Sequence, residues 1–123
     1  MKIPEFTFPS YVYKARLSKI VDGDTIDLYI DVGFKTYLHK RIRFLGIDTW
    51  ELREEEKEAG HRAKDRLEEL LNEGQIYVQT EWDGEGKYGR VLGWIWTVNE
   101  KSGERKLVNK ILLDEGHGTE YMA

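Results

Sequence analysis

Five stretches of extended patterning, one long helical stretch between the third and fourth, and one short helical stretch near the end point to an α+β chain that is mainly β. The arrangement they predict is a five-stranded OB-type barrel, with one long helix between strands 3 and 4 and a short C-terminal helix, although other α+β meanders would give a similar string. Residues 11–20, YVYKARLSKI, are β-branched and aromatic with partial alternation, and read as the first strand. Residues 24–32 alternate more clearly, with Ile26, Leu28, Ile30 and Val32 on one face and Asp27, Tyr29 and Asp31 on the other. Residues 36–47 form the third extended stretch and end in the apolar FLGI.

Residues 53–72 change character to Glu, Lys, Arg, Ala and Leu. Ala59, Ala63, Leu67, Leu70 and Leu71 recur at helical spacing, and Gly74 follows as a C-cap signal. The charges between them read as a solvated face with i,i+4 pairs. Residues 75–81 and 90–98 are two further strands joined by the loop DGEGKYG, and 106–115 is a short helix stopped at Gly116. Trp94 and Trp96, at i and i+2 on one strand face, read as packing residues.

Composition narrows the function classes. At 123 residues the chain fits one domain, 1–123, with its core over about 11–118. No apolar run approaches the length of about 18 residues that a bilayer span needs. The N-terminus lacks the apolar region of a secretory signal, so the expectation is a protein with no membrane contact, cytoplasmic rather than secreted. With no cysteine, disulfides, thiolate metal sites and cysteine nucleophiles are excluded. The net charge of −4 argues against a generic basic nucleic-acid binder, though not against an enzyme with positive charge local to a cleft.

Chemistry gathers in three places. Asp22, Gly23, Asp24 and Thr25 open the second strand, and Asp48, Thr49 and Glu51 follow the third. A hairpin centred near Thr36 would set Asp24 beside Asp48, and two carboxylates that close call for a hard cation with oxygen ligands. Taken singly, DGDT is also ordinary turn chemistry and Asp-Thr ordinary capping. Arg41 and Arg43 lie on the third strand, and Arg90 ends KYGR. A guanidinium is a planar donor fork suited to phosphate oxygens, but any single arginine reads better as a surface residue on a solvated face. Pleat parity turns Arg43 away from Asp48 unless a bulge or twist intervenes. His39, His61 and His117 are scattered and form no metal-binding spacing.

VDGDT, then R-x-x-x-x-D-T-x-E over Arg43, Asp48, Thr49 and Glu51, then KYGR ending at Arg90, together resemble the staphylococcal nuclease (thermonuclease) family over roughly residues 13–118. The resemblance implies an OB-fold, calcium-dependent endonuclease or phosphodiesterase that hydrolyses DNA or RNA by in-line attack of a water and leaves 3′-phosphates. It implies Ca²⁺, with Mg²⁺ as the alternative, held by the carboxylates of Asp24 and Asp48 and the carbonyl of Thr49. Glu51 would orient or deprotonate the water, and Arg43 and Arg90 would clamp the scissile phosphate. Lys87 and Tyr88 match positions lining the nucleotide site.

Three departures stand out. Trp50 occupies a position where the family usually has proline, and the link between the two aspartates is longer. The family's type member also has a further C-terminal helix, which none of these residues provides; its nucleotide-binding tyrosines fall near Tyr121. The apolar surface such a helix would cover leads to an expectation of a homo-oligomer. Single-stranded nucleic acid is the expected substrate, because a flexible strand fits a narrow cleft. The competing reading is a non-catalytic nucleic-acid or protein binding module of the same family. Against it stands the presence of all five side chains, Asp24, Arg43, Asp48, Glu51 and Arg90.

Overall fold

The computed structural model describes residues 3–5, 11–51, 55–81 and 91–121. β1 (Val12–Asp22), β2 (Thr25–Asp31) and β3 (Tyr37–Phe44) form an antiparallel meander. β5 (Gln75–Glu81) pairs with β1, β6 (Val91–Val98) pairs with β5, and β6 returns parallel to β3. The five strands thus close on themselves as a barrel of OB type. α1 (Lys57–Leu71) lies between the third and fourth barrel strands, and α2 (Val108–Asp114) follows the fifth. Among the described residues no helix is long and apolar enough to cross a membrane.

Alternation decides which faces are inside. Ile26, Leu28 and Ile30 of β2 and Ile42 and Phe44 of β3 point inward with Val78 and Ile95. α1 sets Leu67, Leu70 and Leu71 on this core, and α2 adds Val108 and Leu112. A second cluster joins Trp94 and Trp96 to Leu45, Leu92 and Leu107, so both tryptophans pack as their spacing suggested. Their indole N–H groups donate to Glu81 and Gln79.

The structure corrects the sequence reading at four places. The third stretch is two strands: after Phe44 the chain turns, with Gly46 at φ +81°, into β4 (Gly46–Thr49). The hairpin is centred on Phe34, because Asp31 pairs with Tyr37. Asp24 therefore stands opposite Phe44, whose N–H donates to its carbonyl at 2.8 Å, and not opposite Asp48. Gly74 is not the helix cap, which is Asn72. A Cβ at Gly74 would instead overlap the Val98 carbonyl, so close packing on β6 requires the glycine. The last helical stretch begins extended, as β7 (Arg105–Leu107), and is followed by β8 (Gly118–Tyr121), which pairs with β4. No periodicity in GHGTEY announced that strand; it forms because β4 offers an edge.

One buried side chain seals the barrel seam. Along one edge of β6, β3 pairs with Val91–Gly93 and β7 with Trp96–Val98, which leaves a gap. Asn109, fully buried on α2, fills it. Its Oδ1 accepts the Ile95 N–H at 2.8 Å, and its Nδ2 donates to Leu45 O at 2.7 Å and Gly93 O at 3.1 Å. Ile95 N–H and Leu45 O thus depend on one amide, while Gly93 O also accepts the Leu45 N–H at 2.9 Å; each dependent group costs about 1–3 kcal/mol if left buried without a partner. Asn109→Leu is expected to lower unfolding free energy by about 3 kcal/mol or more. Urea denaturation checks this; a loss below about 1 kcal/mol would show that the seam closes without the amide.

Candidate active site

The turn from β3 into β4 is organised by Arg43. This arginine is 7% exposed, and its Nη1 donates to Phe44 O at 2.6 Å and Ile47 O at 2.8 Å. Those carbonyls flank the bend, so the guanidinium clips its two limbs together. Nη2 lies 3.3 Å from Asp48 Oδ1 and 3.6 Å from Asp24 Oδ2. The Tyr121 ring covers the guanidinium, with Cζ 4.4 Å from the ring centroid. Pleat parity had turned Arg43 away from Asp48; the bend after Phe44 removes that obstacle. An exposed Arg43 was the natural expectation for a phosphate ligand, and the structure buries it instead.

Asp24 is held from several sides. Its Oδ2 accepts the Thr49 N–H at 3.0 Å and the Thr49 hydroxyl at 3.2 Å, and its Oδ1 accepts the Thr25 hydroxyl at 2.9 Å. Burial opposes its charge, but the bond from Asp22, the Arg43 charge and the Thr49 N–H together hold its pKa below the usual carboxylate value. Asp22 moves the other way, to about 6, through burial and its nearness to Asp24. The two carboxyls form a linked pair, in which Asp22 takes up a proton before Asp24 as pH falls.

Segment 48–51 is fixed by close backbone approach. A Cβ at Gly23 would lie 2.7 Å from Thr49 Oγ1. One at Gly60 on α1 would overlap Glu51 O, and one at Gly118 on β8 would overlap Asp48 O. Three elements press on this segment at positions where only glycine fits. Gly23 read only as part of the DGDT turn, and Gly60 and Gly118 did not stand out in the sequence, because the contacts join parts distant in the chain. Trp50 donates through its backbone N–H to His117 O at 3.1 Å and through its indole N–H to Gly116 O at 3.0 Å. A proline at that position could make neither bond.

The donor set suits a hard cation. Asp24 and Asp48 turn carboxylate oxygens toward one Arg43 nitrogen, so their charges meet in one small volume. The Thr49 N–H faces Asp24 rather than β8, and in a strand a residue's carbonyl lies along the same edge as its N–H. Carboxylate and carbonyl oxygens are what Ca²⁺ and Mg²⁺ take. Among the described residues no group of three or more carboxylate or imidazole side chains is gathered for a metal. Two carboxylates and one carbonyl are the oxygens that a cation could take here. Glu51 is exposed just beyond, its N–H donating to Glu56 Oε2 at 2.8 Å. Lys87, Tyr88 and Arg90 lie outside the described residues.

A family model described as staphylococcal nuclease homologue matches residues 41–123. The chain belongs to that family. No curated protein matches it. The matched span contains Arg43, Asp48, Thr49, Glu51 and Arg90, while Asp24 reaches the nuclease-homologue site from β2's entry, outside the span.

Lysine at position 43 would keep the charge but lose the planar fork that serves two carbonyls and a carboxylate at once. Arg43→Lys in this nuclease homologue should therefore cost about 2–4 kcal/mol of stability, more than a surface arginine would. Denaturant unfolding tests it; an unchanged midpoint would mean that the bend holds itself.

Proposed function

We propose that this chain is a metal-dependent nuclease that hydrolyses phosphodiester bonds in DNA or RNA. The observation that carries the reading is the meeting of Asp24, Asp48 and Thr49 around Arg43. Family membership supports it, since the family joins nucleases and nucleic-acid-binding modules.

Asp24, Asp48 and the Thr49 carbonyl would hold Ca²⁺ or Mg²⁺. When bound, the ion supplies charge neutralisation at a phosphate oxygen and acidifies water. Glu51, exposed beside the metal ligands, takes the proton of the attacking water. That water forms a bond to phosphorus opposite the 5′ oxygen; the P–O5′ bond breaks, and the leaving 5′ oxygen takes a proton from solvent. The products are a 3′-phosphate and a 5′-hydroxyl.

Arg43 adds positive charge at the equatorial oxygens from a fixed position. Its bonds to Phe44 O and Ile47 O keep it from following the substrate, so reorganisation during reaction is small. Arg90 is the expected second clamp. Single strands are the expected substrate, because a flexible backbone can bring one phosphate to the Asp24–Arg43–Asp48 cluster.

The test is an assay of the purified chain on single-stranded DNA and RNA with Ca²⁺, Mg²⁺ or excess EDTA. Cleavage is expected with a divalent cation and not with EDTA. Asp48→Ala should abolish cation binding, and Glu51→Gln should slow turnover by about 100-fold or more, the scale of a lost general base. Undiminished cleavage in EDTA would refute the metal assignment. No cleavage under any condition, with oligonucleotide binding retained, would make the chain a binding module.

A further inference from the structure

The catalytic reading leaves unused an ordered grid of side chains outside the barrel. Ile26, Leu28, Ile30 and Ile42 face inward, so the residues between them face out. Strand register then fixes the rows. Thr25 stands opposite Arg43, Asp27 opposite Arg41, Tyr29 opposite His39, and Asp31 opposite Tyr37. β1 extends two of these rows, with Arg16 opposite Tyr29 and Lys19 opposite Asp27. One continuous outer face thus runs from the catalytic arginine to the end of the hairpin. At two residues, or about 6.7 Å, per row, Tyr37 lies about 20 Å from Arg43.

The face combines flat rings with positive charge. The Tyr29 and His39 rings stack, with centroids 4.5 Å apart and planes 18° from parallel. Arg16 lies 5.8 Å from the Tyr29 ring centroid and 5.2 Å from that of Tyr37. Tyr29 is 38% exposed and Tyr37 47%, so ring surface remains open to solvent. At the hairpin tip Phe34 is fully exposed, and Phe34 and Lys35 hold φ of +54° and +59°. An aromatic residue in a left-handed conformation with no cover gains nothing from folding.

Charge is segregated in the same direction. Residues 11–44 contain seven Lys and Arg against four Asp, while the rest of the chain contains twelve against nineteen Asp and Glu. Asp27 is engaged by Arg41 at 2.8 Å, so Lys14, Arg16 and Lys19 against Asp31 leave this face net positive within an acidic protein.

We propose that the outer face of β1–β3 is a second subsite for single-stranded nucleic acid. It carries the strand away from the scissile phosphate and stacks its bases on Tyr29, His39 and Tyr37. The inference rests on the reading of the site as a nuclease, and it adds a surface that this reading does not require. Charge complementarity and continuity with the Arg43 row select a nucleic-acid strand as the occupant.

The test measures binding of a fluorescent twelve-residue oligothymidylate and of the dinucleotide to the full chain in excess EDTA. Two variants are compared, Arg16→Gln with Tyr37→Ala, and Tyr29→Ala alone, each checked for native thermal unfolding. Stacking of one base is worth enough to change affinity about tenfold. The twelve-residue oligomer should bind at least about tenfold more weakly to the double variant, with dinucleotide binding unchanged. Equal oligomer affinity for both variants and the unaltered chain would overturn the subsite. So would displacement of the oligomer by polyglutamate at equal charge, which would mark the face as reading acidic peptide. Sedimentation as a dimer that disperses on Tyr37→Ala would overturn it too, by assigning the face to a second copy. A chain that binds through these residues but never cleaves supports the subsite and refutes the nuclease. A chain that cleaves while oligomer binding ignores these variants does the reverse.

Discussion

A buried guanidinium with five surroundings governs the rest of the site. Arg43 joins two carbonyls across a bend, lies against Asp24 of the β1–β2 turn and Asp48 of β4, and is covered by the ring of Tyr121. Breaking a buried arrangement of this kind leaves charge without compensation, which costs far more than a surface ion pair contributes. The bend determines where Asp48, Thr49 and Glu51 stand, so the same contacts that stabilise the turn also position the chemistry. Under the proposed function, stability and catalysis are coupled at this residue.

The fold was legible where periodicity is local. Alternation in TIDLYID and helical spacing in α1 identify their elements directly, because each buries one face of its own making. The split between β3 and β4 was not legible, since FLGID continues the apolar run and only Gly46's positive φ reveals the turn. β8 was missed for a related reason: a four-residue strand takes its pairing from β4, and nothing in its own composition demands it. The site residues could be named from their motifs, yet their geometry could not. Asp24 and Asp48 meet through Arg43 and Thr49, and a two-residue error in the hairpin centre had suggested direct pairing.

The glycines show what single-sequence reasoning loses. Gly23, Gly60 and Gly118 are about 100 positions apart at the extremes, and each is needed only because segment 48–51 passes close by. Likewise the net charge of −4 averages a positive barrel face with an acidic remainder, and so conceals the surface most suited to a polyanion. Strand register brings Lys14, Arg16 and Lys19 onto the outer face, a fact that composition cannot express.

The central claim is that water attacks phosphorus at the Asp24–Arg43–Asp48 site and expels the 5′ oxygen. Digestion of a single-stranded oligonucleotide in ¹⁸O-labelled water with Ca²⁺, followed by mass spectrometry of the fragments, tests it directly. The account predicts one ¹⁸O atom in each new 3′-phosphate and none in the new 5′-hydroxyl. Label on a 5′-phosphate, or 3′-phosphates without label, would contradict it.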